Sequence, residues 1–304
     1  MYLVTGGAGF IGSHLCDALL ARGKAVRVLD NLSTGRQENV PREAELVVGD
    51  AADPDTVRAA ADSIDGCFHL AAVASVARGV EDWLGTHRAN LTATITVFDA
   101  LRGKKVPVIY ASSAAVYGDS PMQPISEDAP TRPLSAYGAD KLGCELHALV
   151  ASQVHGVPTV GLRFFNVYGP RQDPKSPYSG VISIFSERLR RGLPIEIHGD
   201  GGQTRDFVYV ADIVATLIAA MDRLPPGAPV MNVCTGRATS IRNLADTIAA
   251  LLGNEPQIRY APARPGDIRT SVGDPTKLRQ SLGQNETTDL REGLRHVLDW
   301  LGQT

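Results

Sequence analysis

Residues 2–30 constrain the fold of this chain more than any other stretch. Tyr2-Leu3-Val4 reads as a short buried strand. It runs into Thr5-Gly6-Gly7-Ala8-Gly9-Phe10-Ile11-Gly12-Ser13-His14-Leu15, which opens an apolar-periodic helix through about Arg22. Gly6-x-x-Gly9-x-x-Gly12 and Gly7-x-Gly9-x-x-Gly12 are both present. Either pattern keeps side chains away from the helix N-terminal amides, so a pyrophosphate can rest on them. Gly6, Gly9, Phe10, Ile11 and Gly12 are therefore the expected contacts. A glycine pattern alone is a weak signal, but here Ala25-Val26-Arg27-Val28-Leu29 follows as a second strand with Asp30 at its end, 18 residues after Gly12. A carboxylate at that place accepts hydrogen bonds from a ribose diol and repels a 2′-phosphate, so the expected cofactor is NAD rather than NADP.

The same rhythm continues. Glu45-Leu46-Val47-Val48 is a third strand ending in Gly49-Asp50, Asp53-Pro54 caps a helix, and Cys67-Phe68-His69-Leu70 is a fourth strand. Val106-Pro107-Val108-Ile109-Tyr110-Ala111 is a fifth, delivering Ser112 and Ser113 ahead of Val116-Tyr117-Gly118. Alternating strands and helices predict an α/β fold with a doubly wound parallel Rossmann sheet. Ligand contacts then collect at the C-terminal strand ends: Asp50 and Ala51 near the adenine, and Leu70, Ala71 and Ala72 along the dinucleotide. His69 is expected to be a packed strand-end residue. Asn90 is expected to order water or a backbone group beside the cofactor.

Ser135-Ala136-Tyr137-Gly138-Ala139-Asp140-Lys141 puts a phenol and an ammonium one helical turn apart on one face. A phenol of ordinary pKa, near ~10, is a poor base at neutral pH, and a fixed positive charge beside it favours the phenolate. Ser113 supplies a hydroxyl that can hydrogen-bond an alcohol as it becomes a ketone. A Tyr-x-x-x-Lys pair by itself is equally a plain helix face. It gains meaning from the glycine turn and the rim serine that precede it.

Composition bounds the rest. The chain has 304 residues, 43% hydrophobic, enough for a substantial core. A formal net charge of -3 gives no general attraction to nucleic acid or to an anionic membrane. Cys16, Cys67, Cys144 and Cys234 are far apart, with no zinc-type spacing, which fits isolated thiols in a reducing compartment and no metal. Met1 is followed at once by a strand, no room is left for a signal peptide, and no apolar run approaches the roughly 20 residues of a membrane span. A cytoplasmic protein is expected.

With these residues in hand, the sequence resembles an extended short-chain dehydrogenase/reductase of the UDP-glucose 4-epimerase and UDP-N-acetylglucosamine 4-epimerase group. The similarity also covers Asp30-Asn31-Leu32-Ser33-Thr34-Gly35, Leu162-Arg163-Phe164-Phe165-Asn166-Val167-Tyr168-Gly169-Pro170-Arg171, Gly199-Asp200-Gly201, Gln203-x-Arg205-Asp206-Phe207-Val208-Tyr209-Val210 and Arg264-Pro265-Gly266-Asp267. The resemblance implies that Tyr137 is the acid/base, that Lys141 is its activator and a nicotinamide-ribose ligand, and that Ser113 helps move the proton. It adds Asn31, Ser33, Thr34 and Gly35 to the cofactor contacts. Asn166, Arg205 and Arg264 would hold the diphosphate of a UDP-sugar, and Asp267 a uridine ribose hydroxyl; for Arg205 the alternative is a salt bridge to the adjacent Asp206. Ser271, four residues after Asp267, would lie beside the hexose, where a small residue leaves room for a 2-acetamido group. Arg163 and Arg171 receive no role beyond structure. The implied reaction is inversion at C4 of the sugar through a 4-keto intermediate. Related dehydratases carry Asp-Glu, and related decarboxylases a Glu, between the rim hydroxyl and Val-Tyr-Gly; this chain has Ala114 and Ala115, which favours return of the hydride.

Three other readings stay open on these residues. A nucleotide-sugar reductase would consume free NADH, a UDP-glucuronate 4-epimerase would prefer a carboxylate sugar, and a non-catalytic NAD-binding regulator would need none of Ser113, Tyr137 and Lys141. The Pro-rich stretch after Asn166 reads as the crossover to a smaller C-terminal α/β substrate domain. The expected division is 1–166 plus 205–235 for cofactor and 167–204 plus 236–304 for substrate. Helices at about Leu91–Leu101 and Tyr137–Val150 are expected to pair with their symmetry mates in a homodimer.

Overall fold

The computed structural model describes residues 1–174, 180–263 and 267–303. In chain order the first half contains β1 (Tyr2–Thr5), α1 (Phe10–Ala21), β2 (Val26–Asp30), β3 (Glu45–Val48), α2 (Pro54–Ala60), β4 (Gly66–His69), α3 (Val76–Glu81), α4 (Trp83–His87), α5 (Ala93–Ala100), β5 (Val108–Ser113) and α6 (Ala136–His155). The second half adds β6 (Thr159–Phe164), β7 (Asn166–Tyr168), α7 (Val181–Arg190), β8 (Ile195–His198), β9 (Thr204–Arg205), β10 (Phe207–Tyr209), α8 (Val210–Arg223) and β11 (Val230–Val233). It closes with β12 (Thr239–Ser240), α9 (Ile241–Leu251), β13 (Ile258–Ala261), β14 (Thr270–Ser271), α10 (Thr276–Leu282) and α11 (Leu290–Gln303).

The central sheet has seven strands in the order β11-β6-β5-β4-β1-β2-β3, all parallel. Strand order reverses beside β1, which is where a doubly wound sheet opens its ligand crevice. Apolar side chains alternate between two cores, as the two-residue period of a strand requires. Leu3, Cys67, Val108 and Tyr110 pack with α2, α5 and α6 on one face, while Val4, Phe68 and Ile109 pack with α1 and α8 on the other. Caps set the helix ends. Asp53 accepts from Thr56 N ahead of Pro54, and Ser135 Oγ accepts from Gly138 N at 3.1 Å to start α6. Gly156, at φ +68°, ends α6 in the left-handed conformation.

A third core joins α7, α9, α11 and β8 in a smaller C-terminal lobe, with β8 paired to β13 and β9 between β12 and β14. Packing crosses the division expected from sequence in both directions: Leu278 and Leu282 of α10, within 236–304, lie in the larger lobe's core beside Val233 and Leu217, and Phe207, within 205–235, lies in the smaller lobe's core. Between the lobes, β7 and β10 pair in parallel, and the fully buried Asp206 accepts from Thr235 N, Thr235 Oγ1, Gly236 N and Gly273 N. The helix expected from about Leu91 continues a helical run that starts at Trp83. A π-turn over Arg88–Thr92 joins α4 to α5, which starts only at Ala93. Among the described residues no helix is long and apolar enough to cross a membrane.

Candidate active site

The glycine turn leaves no space for side chains. Gly6 has φ +71°, and a Cβ on it would lie 2.8 Å from Ala71 N; a Cβ on Gly12 would lie 2.2 Å from Gly6 O. Gly9 N donates to Gly6 O and Ser13 N to Gly9 O, so the chain enters α1 with Phe10 and Ile11 in its first turn. Such a cradle fits the close approach of a dinucleotide diphosphate to backbone amides. Asp30 closes its far side, with Oδ2 accepting from Ala8 N at 3.0 Å and Oδ1 from Leu32 N at 2.8 Å. A carboxylate offers about four acceptor positions, so each oxygen can still take a ribose hydroxyl. Asn31 Oδ1 accepts from Ser33 N, and Thr34 leads to Gly35, where a Cβ would stand 2.9 Å from Ala8 Cβ and 3.0 Å from Asp30 Oδ1. The loop after β2 thus lies against the turn.

The strand ends beyond line the same rim. Asp50 accepts from Ala52 N and from Arg88, and Ala51 is buried beside it. Leu70 N and Ala71 N are held by Thr5 O and Thr5 Oγ1, and Ala72 follows half-buried. Asn90 is fully buried and spends its amide on one backbone: Oδ1 accepts from Val73 N at 2.8 Å and Nδ2 donates to Val73 O. It orders a backbone group beside the rim, as one of the two expectations had it.

His69 is pinned between threonines, Nδ1 to Thr5 Oγ1 at 2.8 Å and Nε2 to Thr94 Oγ1 at 3.0 Å. Thr94 donates to Asn90 O, so it accepts from Nε2–H, and Thr5, which accepts from Ala71 N, donates to Nδ1. Burial, with the Lys141 charge adding to it, pushes the His69 pKa down to about 3. The folded state therefore refuses a proton that an unfolded histidine takes up near ~6.5. Stability contributed by the neutral ring is present above that pH and lost as pH falls toward 3, by about 1.4 kcal/mol per unit. Urea unfolding between pH 7 and 5 should show a shallower acid loss for His69→Gln than for wild type; parallel curves would contradict the assignment.

Ser113, Tyr137 and Lys141, the residues expected to move a proton, are brought together near the end of β5. Ser113 Oγ accepts from Ala115 N at 3.1 Å, leaving its own hydrogen to donate. Gly138 brings the start of α6 against this turn, since a Cβ there would lie 2.6 Å from Ala115 O. Tyr137 is half-buried at that junction. Lys141 is 2% exposed, its Nζ 5.9 Å from the centre of the Tyr137 ring and fixed by donation to Ala111 O at 2.8 Å. Serine, phenol and ammonium thus come from two elements locked by one close approach.

Of the residues expected to meet a substrate, Asn166 is exposed at the start of β7. Arg205 does not pair with Asp206. Its Nη2 donates to Asp267 Oδ1 at 2.7 Å and its Nη1 to Thr204 O and Ile268 O, because Asp206 is turned inward to the amides described above. Two expected diphosphate and ribose contacts therefore hold each other. Ser271 lies half-buried on β14, in parallel register with Arg205. Arg264 lies outside the described residues. A cavity of about 340 Å³ lined by Tyr2, Leu19, Phe68 and Met221 opens at the other end of the strands, away from these groups.

The sequence pattern of the NAD dependent epimerase/dehydratase family matches residues 2–234. The chain belongs to that family. NAD is its cofactor, and the cradle and Asp30 fit it. Family members similar to this chain include the UDP-glucose 4-epimerase of Mycolicibacterium smegmatis, 39% identical over 98% of this chain and 97% of the relative. The UDP-glucose 4-epimerase of Thermotoga maritima, solved with UDP-glucose, superposes with a TM-score of 0.95 at 35% identity, covering 99% and 98% of the two chains. A UDP-N-acetylglucosamine 4-epimerase from Methanobrevibacter ruminantium, solved with UDP-N-acetylmuramic acid, gives 0.93 at 36% identity over 100% and 98%.

Sequence reasoning missed several groups around this family's site: Thr5, the Ala111 carbonyl that holds Lys141, and the Glu145–Arg163 pair behind Ser112. A signal for Glu145 existed. It follows Tyr137 and Lys141 at spacings of eight and four on one helix face.

Proposed function

We propose that this enzyme inverts C4 of a UDP-hexose, acting on UDP-glucose and UDP-galactose and also on UDP-N-acetylglucosamine and UDP-N-acetylgalactosamine. The observation that carries the reading is the junction of Ser113, Tyr137 and Lys141 beside the dinucleotide cradle, with Ala114 and Ala115 where elimination or decarboxylation would need an acid. NAD, when bound, supplies a hydride acceptor that becomes the donor for the return step. Tyr137 takes the proton of the C4 hydroxyl as the alcohol becomes a ketone, and returns it to the C4 oxygen once the ketone, turned to its other face, is reduced again. Ser113 hydrogen-bonds the same oxygen, and Lys141, held on Ala111 O, keeps a positive charge 5.9 Å from the centre of the phenol ring. Arg205 and Arg264 grip the diphosphate, their planar forks matching its oxygens, with Asn166 beside it; Asp267 turns from Arg205 to a ribose hydroxyl. Firm hold on the nucleotide and loose hold on the hexose let the 4-keto sugar swing and present its other face.

The cofactor contacts in this reading are Gly6, Gly9, Phe10, Ile11, Gly12, Asp30, Asn31, Ser33, Thr34, Gly35, Asp50, Ala51, Leu70, Ala71, Ala72, Tyr137 and Lys141, with Asn90 supporting them. Incubating the purified enzyme with UDP-galactose, without added cofactor, should yield UDP-glucose by chromatography. Net oxidation of added NADH would support a reductase instead, and turnover confined to UDP-glucuronate would support the carboxylate epimerase.

The working form in this reading is a cytoplasmic homodimer. Its support is an apolar face left exposed on two neighbouring helices: Leu146, Leu149, Val150 and Val154 on α6, and Ile95 on α5. Such a stripe, left to water on a lone chain, is what a second copy buries in a two-fold four-helix contact. Light scattering at micromolar concentration should give twice the chain mass of 32.3 kDa; a monomer would count against the dimer.

A further inference from the structure

Behind the proton-transfer groups runs a buried polar chain that the proposed chemistry does not use. Glu145 lies one turn beyond Lys141 and two beyond Tyr137 on α6. Its Oε1 accepts from Ser112 Oγ at 2.5 Å and from Arg163 Nε at 2.8 Å, and its Oε2 from Arg163 Nη2 at 2.7 Å. Arg163 Nη1 donates to the Tyr117 hydroxyl at 2.7 Å, and that hydroxyl donates to Asn232 Oδ1 at 2.7 Å. Asn232 in turn holds the Ile125 carbonyl through Nδ2 and Glu127 Oε1 through its backbone N–H. Ile125 exchanges backbone hydrogen bonds with Val272 and Asp274, next to Ser271.

The chain is contiguous from the catalytic helix to the strand that carries Ser271. Its ion pair is 6% and 8% exposed, and the cost of taking both charges out of water offsets much of their attraction. Directional bonds are what the ion pair adds. Burial disfavours the Arg163 cation, but the Glu145 bonds and charge outweigh it and raise its pKa. Burial pushes the Tyr117 phenol up to about 12 against the pull of Arg163, so it remains a donor to Asn232.

We propose that Glu145 is a positioning residue. Through Ser112 it sets the distance between the Ser113 strand end and the Tyr137 helix face, and through Arg163, Tyr117 and Asn232 it ties that distance to the Ser271 strand. The proposal rests on Ser113 and Tyr137 being the proton-transfer pair.

Glu145→Gln leaves Arg163 buried without an anion and can fail to fold, so the decisive variants are Ser112→Ala and Tyr117→Phe, which keep the ion pair. Each should lower kcat roughly tenfold, since sub-ångström misplacement of reacting groups is costly, with KM within about twofold and bound NAD unchanged. Ser112→Thr should restore most of the loss, and the double variant should lose less than the product of the singles. A purely structural role would instead lower Tm and leave kcat of the folded enzyme at wild type. Unchanged kcat in both variants of an active wild type overturns the positioning role alone, and a wild type inactive on every UDP-hexose overturns both readings.

Discussion

Tyr137→Phe is expected to reduce epimerisation by roughly 10²–10⁴-fold, the range for removal of a general acid/base, while NAD stays bound. The substitution deletes one oxygen and keeps the ring that fills the half-buried junction of α6 and the turn after β5. Lys141 remains fixed on Ala111 O at 2.8 Å, because that bond does not pass through Tyr137. The glycine cradle and Asp30 belong to β1, α1 and β2, elements that the substitution does not touch. Activity and bound-cofactor content should therefore separate. Measuring both on one preparation checks this: equal turnover by the variant would remove Tyr137 from the mechanism, and joint loss of NAD and activity would make its role cofactor binding.

The second large effect is selective. Ser271→Tyr should lower kcat/KM for UDP-N-acetylglucosamine and UDP-N-acetylgalactosamine by about 10–100-fold, and change UDP-glucose and UDP-galactose little. A 2-acetamido group adds several heavy atoms, and a phenol ring in the same space produces the kind of overlap that close-packed sites tolerate poorly. Ser271 is half-buried on β14, next to Arg205 in register, so it shares a strand pair with a proposed diphosphate ligand. A variant that slows both sugar pairs equally would mean that the serine faces away from the hexose. A wild type inactive on the acetamido pair would mean that a small residue there is not sufficient.

The features legible in the sequence are those fixed by local rules. Gly6 and Gly12 announce their turn because no other residue fits within 2–3 Å of neighbouring backbone, and Asp30 follows at the end of the next strand. Short apolar strands alternating with helical stretches pointed to the parallel sheet, and Tyr137, Lys141 and Ser113 stood out as candidates by spacing and order. Pairings decided by the tertiary fold were not. Asp206 is adjacent to Arg205 in sequence but turns inward to three loop amides and the Thr235 hydroxyl, leaving Arg205 to Asp267, 62 residues away. Arg163 has no role beyond structure in its sequence, and only the fold shows which structure: β6 carries it to Glu145 and Tyr117. The placement of α10 on the larger core likewise depends on which lobe offers Leu278 and Leu282 an apolar surface, and a seven-residue helix carries no sign of that.

The central claim is that hydride leaves C4 and returns to C4 on the same enzyme, with Tyr137 moving only the hydroxyl proton. Proton NMR of UDP-galactose, and separately of UDP-N-acetylgalactosamine, incubated in D₂O with the purified protein and no added cofactor tests it most directly. The account predicts growth of the C4-epimer signals to a constant ratio, with the C4 position still carrying protium in both epimers. Deuterium entering C4, a decarboxylated or dehydrated product, or no conversion of either sugar would contradict it.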